Sequence, residues 1–385
     1  MSKNISSHIS SIQVILGERA KAHIANKGLR PEDICAIPAA AGGPKGLILQ
    51  GLDQYLFSDW LGAEHLRQRA AKGIKPLQLI GASIGAWRMA AAASSNPIAS
   101  FKRLAQQYVE AQDYRKGVDR HEISRVCGAM VQAVVAEEAQ CMAKPVGKEL
   151  LVWVNRGLTP LYHAKSQAHS HAQHQHARMQ GFASAVLANS LNRNRLSSYF
   201  ERWVFQSPGA HTDWLRQPFD RIPTHIENLD SLNIHDALLA SGSIPFVLNP
   251  VHKITQALEN NSTEVKHHEG PFWDGGLTDY HLALPYHRLD GLVLYPHFAP
   301  TVTPGWLDKF LKLRKAKPEW MSNVILVCPS PQFVASLPAK KIPDRSDFKR
   351  YKFDHSVRIP LWQSAIRESH RMADDFQQWL NDVNR

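Results

Sequence analysis

The sequence has few of the features that mark secreted, membrane-spanning or fibrous proteins. Its 385 residues include only four cysteines, which never form a Cys-x-x-Cys pair, so we expect reduced thiols and no disulfide framework. No apolar run approaches the roughly 18 residues that a transmembrane helix requires. The N-terminal residues also lack an apolar segment followed by a small-residue cleavage site, so we expect a cytoplasmic protein.

Acidic residues are outnumbered by basic ones. Lys and Arg total 45 against 34 for Asp and Glu, which gives a formal net charge of +11. Such an excess favours contact with nucleic acid or an anionic membrane, and a basic solvated surface is the plainer alternative. We find neither a nucleic-acid-binding motif nor aromatic and basic residues interleaved on one face, so we expect no nucleic-acid partner. Peripheral contact with an anionic membrane stays open.

Short apolar runs alternate with helix-forming segments along much of the chain. The pattern predicts strands at residues 34–41, 77–80, 150–154, 203–205, 291–295 and 323–327. It predicts helices at residues 11–27, 47–56 and 86–93. Because continuous apolar strands that alternate with helices are typical of parallel sheets covered on both faces, we expect an α/β fold with a mainly parallel central sheet.

The sharpest chemical signal follows the second predicted strand, where residues 81–85 read Gly-Ala-Ser-Ile-Gly. A tight turn with Ser83 at its apex pushes the hydroxyl out of the sheet, and Gly81 and Gly85 avoid the Cβ clashes of such a turn. The helix after the turn directs its free N–H groups at this oxygen, and the amide of Ile84 is one candidate donor. The pattern predicts a serine nucleophile, with an inert serine in a glycine-rich turn as the alternative.

A second glycine-rich turn follows the first predicted strand, where residues 42–46 read Gly-Gly-Pro-Lys-Gly. It is not a Walker loop, because Lys45 precedes its last glycine and no Ser or Thr follows. Consecutive glycines can turn backbone N–H groups toward one point. Next to a serine nucleophile, this predicts an oxyanion hole framed by Gly42, Gly43, Lys45 and Gly46, with a simple helix-entry turn as the alternative.

The third signal is Asp274, which ends an apolar stretch and is followed by Gly275 and Gly276. The two glycines allow close approach to another backbone. If burial and geometry suit it, the Asp274 carboxylate can accept the serine proton directly. Taken alone, Asp-Gly-Gly is an ordinary turn.

In order and spacing, these three segments together resemble the patatin-like phospholipases, lipid acyl hydrolases that use a Ser–Asp dyad. The family's Gly-Gly-x-Arg/Lys-Gly motif is matched at residues 42–46, its Gly-x-Ser-x-Gly elbow at 81–85 and its Asp-Gly-Gly motif at 274–276. Its Ala-Ser-x-x-x-Pro segment is similar to residues 240–245. The family's Asn and Pro after Asp-Gly-Gly are absent, because Leu-Thr-Asp follows here.

The resemblance implies a three-layer α/β/α sandwich with N- and C-terminal helical additions. Residues 1–31 would be an N-terminal helix and lead-in, 32–300 the catalytic domain and 301–385 an extension packed on the same domain. It also implies hydrolysis of a lipid acyl ester, in which Ser83 attacks the carbonyl and Asp274 accepts its proton and later activates water. This chemistry requires no metal and no organic cofactor.

Two other functions remain open at this point. One is an α/β-hydrolase-type esterase or thioesterase with a Ser-His-Asp triad, which needs a histidine after the acid. The available candidates are His281, His287, His297, His355 and His370. The Asp-Gly-Gly motif favours the dyad over this triad. The other is a catalytically silent basic protein associated with membranes or nucleic acid.

Three further segments carry predictions of their own. Residues 306–315 predict an interfacial helix on anionic lipid, or a helix packed on the core, because apolar and basic residues alternate there at helical spacing. The two faces are Trp306, Phe310 and Leu313, and Lys309, Lys312 and Lys315. Residues 361–383 predict one long C-terminal helix. The histidine-rich residues 163–176 lack i, i+4 pairs and nearby carboxylates, so we expect a polar surface loop and no metal site.

Overall fold

The protein is described by a computed structural model that covers residues 10–158, 171–258, 264–311 and 313–385, with the backbone alone at 171–178. In this part of the chain, ten strands form one sheet. The strands are β1 (Ile12–Leu16), β2 (Ile34–Ala39), β3 (Leu77–Ala82), β4 (Lys148–Gly157), β5 (Phe200–Gln206), β6 (Thr224–Asn228), β7 (Val251–Ala257), β8 (Val265–Asp274), β9 (Leu292–Pro296) and β10 (Val324–Pro329).

Helices flank this sheet. Those before β5 are α1 (Glu18–Lys27), α2 (Gln50–Tyr55), α3 (Ala63–Ala71), α4 (Ile84–Ala93), α5 (Pro97–Glu110), α6 (Arg120–Val135), α7 (Ala139–Ala143) and α8 (His171–Leu191). Those after it are α9 (Asp213–Arg216), α10 (Ile234–Gly242), α11 (Gly276–Asp279), α12 (Pro331–Ser336), α13 (Ser346–Arg350), α14 (His355–Glu368) and α15 (His370–Val383). Short 3-10 turns connect several of them.

Eight of the ten strands have the order β1-β10-β9-β2-β3-β4-β5-β6, and β8 pairs with β4 and with β7. The centre of the sheet is parallel. Strands β3 and β10 are buried along their whole length, which is why they are continuous apolar runs without alternation. The six predicted strands are all present. The mainly parallel sheet with flanking helices confirms the predicted three-layer α/β/α class.

The prediction of one helix over residues 11–27 is wrong in its first half. Residues Ile12–Leu16 form β1, which pairs antiparallel with β10 at the sheet edge. Within it the buried and half-buried side chains of Ile12, Val14 and Leu16 alternate with more exposed ones, so the local period is two. Helix α1 begins only after Gly17, whose N–H bonds to Val324 at the start of β10.

The predicted C-terminal helix is also interrupted. The segment forms α14 and α15 with a break at Ser369, whose hydroxyl accepts a hydrogen bond from the N–H of Gly51 at 2.8 Å. A Cβ on Gly51 would lie 2.5 Å from the backbone nitrogen of His370, so the first turn of α2 presses directly into this break. Long-range packing of this kind leaves no trace in helical periodicity.

The predicted helix over residues 306–315 is absent. Residues Trp306–Asp308 form a single 3-10 turn, and the chain continues through turns whose N–H groups bond three residues back. The buried side chain of Asp308 explains the difference. Its carboxylate accepts bonds from the N–H of Gly305, from Asn189 and from Arg193, which fix the turn to α8 and to neighbouring loops. Lys312 lies outside the described residues.

Two sequence features concern membranes and metals. The described part of the chain contains no helix with the length and apolar character needed to cross a membrane. The same residues contain no group of three or more His, Cys, Asp or Glu side chains arranged to hold a metal ion. The loop predicted for the histidine-rich residues 163–176 is wrong for residues 171–176, whose backbone begins helix α8, and residues 163–170 lie outside the described residues.

Candidate active site

Ser83 lies at a sharp turn between β3 and α4. Its backbone has φ 57° and ψ −131°, an unusual conformation for a residue with a Cβ, and its carbonyl accepts bonds from the first turn of α4. The turn leaves no room for side chains beside it, because a Cβ on Gly85 would clash with the carbonyl oxygen of Ala39 in β2. Gly81 is packed equally closely, against the backbone of Ala86.

The sheet topology explains why Ser83 and Asp274 meet. Strand β3 ends with Ala82 opposite Trp153 of β4. Strand β8 runs antiparallel to β4 and ends with Asp274 opposite Val154, the next residue along β4. The two strands thus end beside each other on the same side of β4, which brings together residues 191 positions apart in sequence.

The two side chains form a direct hydrogen bond. The Oγ of Ser83 donates to Oδ2 of Asp274 at 2.7 Å, and both residues are buried. The other carboxylate oxygen accepts the N–H of Gly276 at 2.7 Å. Burial raises the pKa of the Asp274 carboxyl to about 6, against the opposing effects of these hydrogen bonds and of the nearby charges of Arg345 and Lys309. Such a carboxylate can accept a proton from the serine near neutral pH.

A buried polar clamp holds the Asp274 turn. The side-chain NH2 of Asn155 in β4 donates to the carbonyl oxygens of Asp274 and Gly275 at 2.9 and 3.0 Å. The Asn155 oxygen in turn accepts from the hydroxyl of Thr278 at 2.7 Å. In the next residue, the Asp279 carboxylate forms a buried ion pair with Arg202 of β5. These contacts fix the turn although the Asn and Pro expected after Asp-Gly-Gly are missing.

The segment at residues 240–245 supports both strand ends. The hydroxyl of Ser241 accepts the N–H of Ser83 at 2.9 Å and donates to the carbonyl of Trp153 at 2.7 Å. The carbonyl of Ser243 accepts the N–H of Asp274 at 2.9 Å. This segment therefore ties the serine turn, β4 and the aspartate to one another.

The residues proposed for an oxyanion hole lie beside Ser83. Gly42, Gly43 and Lys45 line the same cavity as Ser83 and Asp274, whereas Gly46 packs behind them against Arg88. Gly43 has φ 58°, a left-handed conformation that favours glycine. The adjacent 3-10 turn (Gly43–Leu49) and helix α4 both begin here, and the first N–H groups of such turns have no acceptor within the helix. Ile84 is the first residue of α4.

The histidines proposed for a triad do not contact the dyad. Among the described residues, no histidine forms a hydrogen bond with Ser83 or Asp274. His281 and His297 are buried against each other, with ring centroids 4.3 Å apart, and burial lowers the pKa of both imidazoles. His355 bonds to the carbonyl of Tyr114, His287 lies in a 3-10 turn, and His370 is the first residue of α15.

Three contributors to the site carry no motif in the sequence. Arg345 and Lys309 line the cavity from the C-terminal part of the chain, and Asn155 lies in the middle of β4. Of these three residues, only Asn155 could have been identified from the sequence, because it is a polar residue inside an apolar strand. The two cations reach the cavity through tertiary packing alone.

Comparison with known proteins gives one family. The family model described as Patatin-like phospholipase matches residues 40–285, which include the glycine-rich turn, the serine turn and the Asp-Gly-Gly turn. A comparison with curated proteins gave no match.

Proposed function

This chain belongs to the patatin-like phospholipase family of lipid acyl hydrolases, and we propose that it hydrolyses lipid acyl esters through a dyad of Ser83 and Asp274. The observation that carries the proposal is the 2.7 Å hydrogen bond from the Ser83 hydroxyl to the Asp274 carboxylate at the floor of a cavity. A serine hydroxyl becomes a useful nucleophile when an adjacent base takes its proton.

The proposed reaction has two stages. In the first, Ser83 Oγ attacks the ester carbonyl while Asp274 takes its proton, and the tetrahedral intermediate then collapses as the alcohol leaves with that proton. In the second, Asp274 takes a proton from water, which attacks the acyl-enzyme. The Ser83 oxygen then leaves with that proton, which releases the fatty acid and restores the dyad. Neither stage calls for a metal or an organic cofactor.

We assign the developing oxyanion to the N–H groups of the 42–43 turn and of Ile84. These groups lie where two helical turns begin beside Ser83, so they are pre-oriented before the substrate binds. Lys45 adds a positive charge to the cavity wall, and Gly46 keeps the turn close to α4.

The direct test is lipid hydrolysis by matched variants. We expect Ser83→Ala to lose at least ~10³-fold in kcat, and Asp274→Asn to lose nearly as much, because each removes one half of the dyad. His281→Ala and His297→Ala should cost about tenfold or less, since neither imidazole contacts the dyad. Circular dichroism shows whether each variant is folded. A folded histidine variant as inactive as Ser83→Ala would replace the dyad with a triad.

We further propose that the protein meets its substrate at the surface of an anionic membrane. Exposed apolar side chains lie in the cavity wall or close to it in sequence. Trp306 lines the cavity, Phe310 and Leu313 follow its lining residue Lys309, and Phe246 and Val247 follow its lining residue Pro245; we call these five residues the mouth rim. Phe310 and Leu313 are 90% and 98% exposed, which is costly unless an apolar phase covers them.

Charge completes the argument for a membrane. Lys309 and Arg345 flank the mouth, and the chain carries a net charge of +11. Basic groups near an anionic leaflet strengthen the attachment of an apolar rim. Trp306, Phe310 and Leu313 of the mouth rim lie in the segment that was predicted to be a helix. Turns, and not a helix, bring these side chains to the surface.

A further inference from the structure

Two cavities of different character meet at Ser83. One, of about 270 Å³, contains Asp274, the 42–43 turn and three cationic side chains. The other, of about 290 Å³, is lined mainly by apolar side chains. Both include Ser83, Ile244 and Arg345 in their walls. An ester has its acyl chain and its alcohol on opposite sides of the carbonyl that Ser83 attacks, so each cavity suits one half of a substrate.

The apolar cavity fits an acyl chain. Its walls include Trp87, Tyr108, Val118, Met130 and Leu248, from α4, α5, α6 and the segments beside them. Lining of this kind binds hydrocarbon by removing apolar surface from water and offers little to a charged group. One apolar cavity beside Ser83 can hold one acyl chain, so it suits a lipid that places a single chain in the site.

The basic cavity has three cations, Lys45, Lys309 and Arg345, and two carboxylates, Asp274 and Asp344, in its walls. Lys45, Lys309 and Arg345 form no ion pair with a carboxylate in the described part of the chain. The Nζ of Lys45 lies 5.3 Å from the ring centre of Phe298, and that of Lys309 lies 4.1 Å from the ring centre of Tyr280. These ring contacts hold both ammonium groups without cancelling their charge.

Both carboxylates have other partners: the oxygens of Asp274 accept from the Ser83 hydroxyl and from the Gly276 N–H. Asp344 lines the same cavity, but it pairs with Lys341 at 2.9 Å and accepts the N–H of Ser346 at 2.7 Å. Desolvation and the neighbouring charges of Lys45 and Arg345 lower the pKa of Lys309 to about 8. The three cations therefore repel one another in the free protein, and a bound anion would relieve that repulsion.

Arg345 and Lys309 each lie close in sequence to a buried aspartate that fixes the local backbone. A Cβ on Gly43 would lie 3.0 Å from Nε of Arg345, so the guanidinium lies directly on the glycine turn. The loop that carries Arg345 is fixed by the buried Asp347, which pairs with Lys341 and accepts the indole N–H of Trp362 at 2.9 Å. Lys309 follows the equally buried Asp308.

We propose that the site selects single-chain lipids whose alcohol carries a phosphate close to the scissile ester. The acyl chain occupies the apolar cavity, and Arg345 and Lys309 bind the phosphate oxygens, with Lys45 adding to the field. This inference rests on the proposed function. It concerns two residues outside the 40–285 match, so the selectivity belongs to this chain's own C-terminal part.

The test measures binding without turnover. Calorimetric titration of the Ser83→Ala protein uses two lipids with the same decanoyl chain, 1-decanoylglycerol 3-phosphate and 1-decanoylglycerol, below their aggregation concentrations. We expect the phosphate lipid to bind at least tenfold more tightly. In the same background, Arg345→Gln and Lys309→Gln should each reduce that preference by about threefold to tenfold, and Arg345→Lys should keep most of it.

Controls separate this site from other sources of affinity. Lys21 lies in α1, which begins where Gly17 bonds to the start of β10, at the opposite edge of the sheet, so Lys21→Gln should change neither affinity. Glycerol 3-phosphate alone should bind far more weakly than the phosphate lipid, because it leaves the apolar cavity empty. Equal affinity for glycerol 3-phosphate and the phosphate lipid would mean a free-anion site and would overturn the lipid assignment.

The outcomes also distinguish this inference from the proposed function. Equal binding of the phosphate and neutral lipids by folded Ser83→Ala protein, or an unchanged preference in both cation variants, would refute the selectivity whatever the catalytic residues are. Selective binding by a wild-type protein that hydrolyses neither lipid would instead refute the dyad and leave the selectivity standing.

Discussion

Ser83 and Asp274 each have a conformation or environment that costs free energy in the folded chain. The positive φ of Ser83 costs on the order of 1–3 kcal/mol, and Asp274 is a carboxylate held away from water. Both features place reactive groups where they meet. Strained backbone conformations and strongly shifted pKa values both cluster at functional sites.

The pKa of Asp274 leads to a prediction about pH. Because the carboxylate must be ionised to take the Ser83 proton and burial raises its pKa to about 6, kcat/KM on a neutral ester should rise between pH 5 and 7 with a midpoint near 6. Arg345→Gln should move the midpoint upward, since it removes a cation that favours the ionised form. Stopped-flow hydrolysis at several pH values measures both.

The temperature dependence of this pH midpoint identifies the titrating group. Ionisation of a carboxyl group absorbs little heat, whereas that of an imidazole absorbs much more, so the midpoint should hardly move on warming. A midpoint that falls strongly with temperature would point to a histidine base and against Asp274.

Among the elements, β4 decides the geometry of the site. It provides one edge on which β3 and β8 end side by side, and its Asn155 holds the Asp274 turn through two carbonyl oxygens. A sequence motif cannot show that β8 pairs with β4, because these two strands are more than a hundred residues apart in the sequence.

We therefore predict that Asn155→Ala lowers kcat by about tenfold or more with little change in KM. Without the clamp the carboxylate is less well positioned toward Ser83, and misplacement of a catalytic group by a fraction of an ångström is costly. Asn323 offers a matched control. It is equally buried and also donates to two carbonyl oxygens, but at the start of β10, on the opposite edge of the sheet.

Asn323→Ala should lose comparable stability and keep kcat per folded molecule, as measured by thermal unfolding and active-site titration. If the two variants lose kcat equally, Asn155 acts on folding and not on the position of Asp274.

The elements differ in how far they were predictable. Central strands such as β3 could be predicted from the sequence, because burial on both faces makes them continuous apolar runs. Edge strand β1 was misread as part of a helix, since its five residues precede a true helix without a break in polarity. The turn at residues 306–308 was misread because the bonds that Asp308 makes with α8 override the local helical spacing.

The residues of the candidate site also differ in whether the sequence alone could predict them. Ser83, Asp274 and the 42–46 turn were found from local motifs, because a strained turn needs glycines at fixed offsets. Arg345 and Lys309 were not found as site residues, since a cation on a loop has no pattern until the fold brings it to the cavity.

At the scale of the whole molecule, the proposed membrane contact combines the net positive charge with the mouth rim. We predict that sedimentation with phosphatidylcholine vesicles rises when anionic phosphatidylglycerol is added and falls between about 50 and 300 mM salt, as screening weakens attraction to the leaflet. The double variant Phe310→Ser/Leu313→Ser should weaken binding to anionic vesicles by about tenfold, because it removes two exposed apolar side chains.

Val146→Ser is the matched control. Val146 is 83% exposed but precedes β4, at the edge of the sheet opposite the cavity, so its replacement should leave vesicle binding unchanged. Equal binding to neutral and anionic vesicles, or no loss in the double variant, would show that the rim does not contact the membrane.

The central claim is that Ser83 is the nucleophile and Asp274 its base. Mass spectrometry of the protein after reaction with a fluorophosphonate tests it most directly, because the reagent marks an activated serine covalently. We predict a single adduct on the peptide that contains Ser83, no adduct in Ser83→Ala and labelling at least ~10²-fold slower in Asp274→Asn. An adduct on another residue, or undiminished labelling of folded Ser83→Ala or Asp274→Asn protein, would contradict the account.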